Sequence, residues 1–129
     1  MARILIVEDS QTEMFRFREI LLNHGYDVLE ANNGAEGAAV AQAELPDLIL
    51  MDVVMPGVNG FQATRHLCRT ESTQDIPIVM LSSKDQDTDR AWGMRQGAKA
   101  YLIKPIEEAE LLSVIEQYLQ QAPSNETVD

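Results

Sequence analysis

Ile4-Leu5-Ile6-Val7-Glu8-Asp9 is an unbroken apolar run that ends on two acids, and its reading decides the fold. A strand with one wet face alternates apolar and polar side chains. A run that is apolar at every position suits a strand buried on both faces of a parallel sheet. Ser10-Gln11-Thr12-Glu13 then matches a helix capping box, and Met14, Phe17, Ile20 and Leu21 keep helical spacing up to Gly25. The unit is therefore strand, loop and helix, with its polar residues at the carboxyl end of the strand.

The same unit recurs along the chain. Tyr26 to Ala31 reads as a strand, Asn32-Asn33-Gly34 as a turn, and Ala35 to Leu45 as an alanine-rich helix closed by Pro46. Leu48-Ile49-Leu50-Met51 is the third strand and ends on Asp52, followed by a loop from Met55 to Gly60 and a short helix from Phe61 to Arg69. Ile78-Val79-Met80-Leu81 is the fourth and ends on Ser82, after which the polar stretch Ser83 to Asp87 leads into a helix that stops at Gly97. Tyr101-Leu102-Ile103 is the fifth and ends on Lys104-Pro105, and Glu107 to Gln120 forms an amphipathic helix with Leu111, Leu112, Ile115 and Leu119 inward. Five strands alternating with helices imply a doubly wound α/β fold. Its parallel sheet would carry helices on both faces, in the flavodoxin-like order 2-1-3-4-5. A closed barrel of eight such units takes about 250 residues, more than this chain offers.

The 129 residues suffice for one ordinary domain, expected over residues 1–121, with a polar, acidic tail from Ala122 to Asp129 expected to fray. Acids outnumber bases 21 to 10, a net charge of -11, and the bases are scattered, so DNA is not an expected partner. Cys68 is the single cysteine and cannot form an internal disulfide; His24, His66 and Trp92 lie on helices with no partner at catalytic spacing. The apolar run after Met1-Ala2-Arg3 is too short for a signal sequence or a membrane span. A cytoplasmic protein without membrane insertion is expected.

Ligands of open α/β sheets bind beyond the carboxyl ends of the strands, at the switch in strand order. Glu8 and Asp9 follow the first strand, Asp52 the third, Ser82 the fourth and Lys104 the fifth, while the second contributes no candidate. Three converging carboxylates raise one another's pKa and call for a cation. Oxygen ligands without His or Cys select a hard ion, and a small carboxylate set suits Mg²⁺ better than a full Ca²⁺ cage; Mn²⁺ could substitute. A carboxylate can be the nucleophile toward a phosphoryl group once the transferring oxygens are neutralised, and Asp52 is the candidate. Lys104 brings a point charge to those oxygens and Ser82 a hydroxyl donor.

Taken together, Glu8-Asp9, Asp52, Ser82 and Lys104-Pro105 resemble, in order and strand context, the response-regulator receiver domains of two-component signalling, from about Arg3 to Leu119. The resemblance implies that Asp52 takes phosphate from the phosphohistidine of a histidine kinase or phosphotransfer domain. It further implies that Mg²⁺ is held by Asp9, Asp52 and the backbone carbonyl of Val54, with Glu8 acting through water. The first acid of the pair is often Asp in that family, and Glu8 departs from this. Ser82 and Tyr101 would form the switch pair, Tyr101 turning inward on phosphorylation, and the Lys104-Pro105 bond would be cis. Met55 to Arg65, Lys84-Asp85-Gln86-Asp87 and Arg95-Gln96-Gly97-Ala98 are similar to single-domain regulators of type IV pilus twitching motility and chemotaxis-like pathways. A downstream motility or signalling protein would then be the partner, reached by protein contact.

Two rivals share parts of this pattern. A haloacid-dehalogenase-like phosphohydrolase also forms an aspartyl phosphate, but needs a second Asp two residues beyond the nucleophile, where this chain has Val54. A flavin or nucleotide binder needs a glycine- and hydroxyl-rich first loop, and this loop begins with acids. Spacing does not separate a working phospho-acceptor from a protein-binding module that keeps the motif unused. Labelling with acetyl phosphate does.

Overall fold

The computed structural model describes residues 2–121, so the expectation of a frayed tail at 122–129 lies outside the described residues. The elements run β1 (Arg3–Val7), α1 (Gln11–Asn23), β2 (Asp27–Ala31), α2 (Gly34–Glu44), β3 (Leu48–Asp52), α3 (Gly60–Cys68), β4 (Ile78–Ser82), α4 (Asp87–Gln96), β5 (Ala100–Ile103) and α5 (Glu108–Gln121). All strand pairs are parallel, and the order across the sheet is β2-β1-β3-β4-β5. The order expected from the sequence is the one observed.

Successive residues of a strand face opposite sides, and the apolar runs use both. Ile4 and Ile6 of β1, Leu48 and Leu50 of β3, and Val79 and Leu81 of β4 pack under α1 and α5 with Phe17, Leu21, Leu111 and Ile115. Leu5, Val7, Ile49, Met51 and Ile78 pack on the other face against Ala41 of α2 and Ala63 and Leu67 of α3. Each large aliphatic side chain buried this way contributes about 1.5–3 kcal/mol of transfer free energy, so every register shift that would expose β1 or β3 is heavily disfavoured. The register pairs Val7 with Met51 and Asp52 with Leu81, which brings the polar ends of β1, β3 and β4 to one edge.

Local chemistry sets the helix ends. The Asn59 side chain accepts from Gln62 N–H and the Gln62 side chain accepts from Asn59 N–H, both at 2.9 Å, which closes a complete capping box on α3. A Cβ on Gly60 would lie 2.2 Å from the carbonyl oxygen of Asp52, so only glycine lets α3 begin against the end of β3. Helix α2 starts one residue before the expected Ala35, because the Asn33 side chain accepts from Glu36 N–H at 2.8 Å and makes Asn33 the cap rather than part of a turn. It ends with Leu45 in a left-handed conformation at φ 50 ahead of Pro46.

Candidate functional site

The carboxyl ends of β1, β3 and β5 surround a cleft of about 540 Å³ whose lining includes Glu8, Asp9, Glu13, Asp52, Val54 and Lys104. Asp52 is the last residue of the central strand, paired there with Leu81 of β4, and the residue is only 4% exposed. Glu8 is 2% exposed, whereas Asp9 is on the surface. One carboxylate oxygen from each of Glu8, Asp9 and Asp52 lies within 4.8 Å of the other two. The crossing from β1 to β3, forced by the strand order, places them together.

Lys104 enters from the end of β5, directly before a cis Lys104-Pro105 peptide bond. Its Nζ donates to Asp52 Oδ1 at 2.9 Å and to Glu8 Oε1 at 3.1 Å, and lies 3.5 Å from Glu13 Oε1. One ammonium thus faces a group of acids that it cannot fully neutralise. Burial pushes the Asp52 carboxyl above its ordinary pKa; Lys104 opposes the shift, and the charges of Asp9 and Glu13 add to it. Burial, then the charge of Asp52, likewise raises Glu8. Burial pulls the Lys104 ammonium down, but its hydrogen bonds and charge contacts with Asp52 and Glu8 outweigh burial and leave it above the ordinary lysine value.

Glu13 is the site residue that the sequence did not reveal. Its pattern with Ser10 reads as a capping box, and half of the box forms, Ser10 Oγ accepting from Glu13 N–H at 3.3 Å. The other half does not, because Ser10 N–H donates to Glu8 Oε2 at 3.1 Å, and the Glu13 carboxylate turns to Lys104 instead. The available signal was its place in the first helical turn, whose side chains lean back toward the helix start and so toward the strand ends.

Ser82 and Tyr101 are not among the lining residues of the cleft. Ser82 is fully buried and its Oγ accepts from Lys84 N–H at 3.0 Å, while its neighbour Ser83 lines the cleft. The Tyr101 ring is 2% exposed and its hydroxyl donates to the Lys84 carbonyl at 2.9 Å. Burial pushes the Tyr101 phenol above its ordinary pKa, with the Ser82 hydroxyl opposing. The Tyr101 side chain thus lies inward, against the backbone of the loop after β4. The backbone of Lys84 ties the two hydroxyl side chains together, its N–H to Ser82 and its carbonyl to Tyr101.

The donor set fits a hard divalent ion. It is all oxygen, it carries more negative charge than Lys104 balances, and its closely gathered carboxylates gain from added positive charge. No helix among the described residues is long and apolar enough to cross a membrane.

A doubly wound sheet that gathers acids and a lysine at its carboxyl edge is the architecture of a signalling receiver; a flavin or nucleotide binder would present backbone donors there. Residues 4–116 match the response regulator receiver domain family, and the chain belongs to that family. It is 54% identical over 119 residues to protein PilH of Pseudomonas aeruginosa, an alignment covering 92% of this chain and 98% of that one. Among solved structures it resembles the chemotaxis protein CheY4 of Vibrio cholerae, with a TM-score of 0.86 and 30% identity over 92% of this chain and 98% of that chain. It also resembles the receiver domain of a sensor histidine kinase from Pseudomonas aeruginosa, solved with a magnesium ion coordinated in the active site cleft. That match has a TM-score of 0.86 and 29% identity, with 92% and 98% of the two chains covered. Other curated relatives, 35–38% identical, are longer, and the chain spans 25–58% of their length.

Proposed function

We propose that this receiver, over residues 1–121, accepts a phosphoryl group on Asp52 from the phosphohistidine of a histidine kinase or phosphotransfer domain. It then signals to a motility or signalling protein in the cytoplasm. The observation that carries the proposal is the Asp52 carboxylate itself, which ends the central strand nearly buried, bonded to Lys104 and flanked by Glu8 and Asp9. An oxygen of Asp52 forms the new bond to phosphorus, the phosphorus–nitrogen bond of the donor breaks, and its electron pair returns to the imidazole. Lys104 follows the charge, exchanging part of its contact with Asp52 for the phosphoryl oxygens. Asp9, Asp52 and the Val54 carbonyl would hold Mg²⁺, or Mn²⁺ in its place, with Glu8 in the outer shell; when bound, the ion supplies positive charge to the transferring oxygens. Ser82 would donate its hydroxyl to the phosphoryl group and, with Tyr101, form the switch. The identity to PilH supports a pilus-motility or chemotaxis-like pathway.

Acetyl phosphate and Mg²⁺ should add one phosphate to the intact chain, read by mass, and EDTA should prevent it. No addition with the ion present would favour the second reading, a protein-binding module that leaves the site unused.

Val54 bears on how long the phosphoryl group lasts. Its side chain is 55% exposed at the cleft and cannot orient an attacking water by hydrogen bonding. Val54→Asn adds a donor and an acceptor there. A hydrogen bond worth about 1 kcal/mol more in the transition state speeds hydrolysis about five-fold, and decay of the labelled protein followed by mass should show a shortening of that order. A longer lifetime would remove Val54 from this role.

A further inference from the structure

Among the described acids that line the cleft, Glu13 alone has no part in the chemistry proposed above. It lies outside the trio of Glu8, Asp9 and Asp52 that could hold a metal ion. An acid in the first turn of a helix is ordinarily explained by the helix dipole, which asks nothing of where its side chain points. Here the side chain has a definite place. Ser10 Oγ accepts from the Glu13 N–H at 3.3 Å, and the Glu13 carboxylate reaches across the cleft to within 3.5 Å of Lys104 Nζ while 38% of the side chain stays open to solvent. Its charge is felt at Asp52.

We infer that Glu13 is a specificity-determining residue, which favours phosphodonors that carry positive charge beside the phosphoryl group and disfavours free acyl phosphates. The inference rests on the reading of Asp52 as the phospho-acceptor. Lys104 Nζ divides itself between Asp52 at 2.9 Å, Glu8 at 3.1 Å and Glu13 at 3.5 Å, so Glu13 is the most loosely held of the three. Phosphoryl oxygens draw the ammonium toward themselves, and Glu13 then faces the arriving negative charge without a partner. Two small donors differ in that charge. At neutral pH acetyl phosphate is a dianion, whereas phosphoramidate carries a protonated nitrogen on phosphorus and has one negative charge fewer. With either donor an Asp52 oxygen bonds to phosphorus. From phosphoramidate the phosphorus–nitrogen bond breaks, its electron pair stays on nitrogen, and ammonia leaves; from acetyl phosphate the phosphorus–oxygen bond breaks and acetate keeps the pair.

A protein donor meets the same selection. Where a lysine or arginine stands beside its phosphohistidine, that cation takes over Glu13 as Lys104 moves to the phosphoryl oxygens, and the repulsion becomes an attraction. The net charge of -11 acts in the same direction, slowing the approach of free anions and speeding that of a basic surface. Glu13 therefore favours a cognate protein donor over acyl phosphates free in solution.

The test compares initial rates of labelling by acetyl phosphate and by phosphoramidate, read by mass at neutral pH, saturating Mg²⁺ and donor well below saturation. It uses the parent, Glu13→Gln and Glu13→Asp. A change in folding or in the resting contacts of Lys104 acts on both donors alike and cancels in the ratio of the two rates. Glu13→Gln should raise the ratio of acetyl phosphate to phosphoramidate labelling about three-fold, the size expected for removing one solvent-screened charge contact. Glu13→Asp keeps the charge and should leave the ratio near that of the parent. Because the effect acts through solvent, the shift should shrink as added salt shortens the screening length. A ratio unchanged in Glu13→Gln, or a shift of the same size at low and high salt, overturns the selection while the labelled parent still supports Asp52 as acceptor. No labelling of the parent by either donor overturns the phospho-acceptor reading and the selection with it.

Discussion

Asp9→Ala should need at least about ten-fold more Mg²⁺ than the parent for half-maximal labelling by acetyl phosphate. Loss of an outer-shell partner already costs metal sites about 10–100-fold in affinity, and a direct ligand should cost no less. Asp9 has the geometry for that role. Its carboxylate belongs to the group gathered within 4.8 Å, yet among the described residues Lys104 pairs with Glu8, Glu13 and Asp52 and not with Asp9. It is also the exposed member, so an arriving hydrated ion meets it first. Titrating Mg²⁺ against the labelled fraction in both proteins checks this. Equal midpoints would take Asp9 out of the ligand set.

Asp52→Asn should abolish labelling and at the same time make the fold more stable at neutral pH in the absence of divalent ions. Burial raises the Asp52 carboxyl above the ordinary value of 3.8, so folding is opposed whenever this group must be ionised. The sign follows directly. A group whose folded pKa lies above its unfolded value stabilises fully below the unfolded value, and that contribution is lost as pH rises through the folded value. The parent should therefore lose stability upward from about pH 4, and the asparagine variant should lose less. Lys104 opposes the gain, since it loses one charged partner, but it retains Glu8 and Glu13. Because removing one of several crowded charges outweighs one shared ion pair, a gain on the order of 1 kcal/mol is expected, or roughly 4 °C in Tm for a domain of this size. Mg²⁺ should raise the parent's Tm more than the variant's. Thermal melts at several pH values, with and without the ion, test both statements; a variant less stable than the parent at neutral pH would contradict the charge account.

Much of this architecture was legible because burial on both faces writes itself into sequence. Ile4 to Val7, Leu48 to Met51 and Ile78 to Leu81 are apolar at every position, and the polar residue that ends each run marks the edge where ligands bind. Once the order placed β1 beside β3, the meeting of Glu8, Asp9 and Asp52 followed. What stayed hidden depended on rivals for the same atoms. The Ser10 N–H could go to Glu13 in a local capping box or to Glu8 in the site, and only the folded backbone decides for Glu8 and frees Glu13 for Lys104. Arg90 was hidden for a similar reason. A surface arginine on a polar helix reads as a solvated charge until β5 brings the Tyr101 ring and carbonyl beneath it. Gly93 was hidden as well, since its spacing alone says nothing about the Tyr101 ring that lies against it.

Borohydride reduction of the acetyl-phosphate-treated protein, followed by peptide mapping, tests the central claim most directly, because an aspartyl phosphate is reduced to homoserine while a free carboxylate is left unchanged. With Mg²⁺ present, homoserine should be found at position 52, with no reduced side chain at Glu8, Asp9 or Glu13, and EDTA should remove the signal. Labelling of Asp52→Asn to the parent's level, or reduction at an acid other than Asp52, would contradict the account.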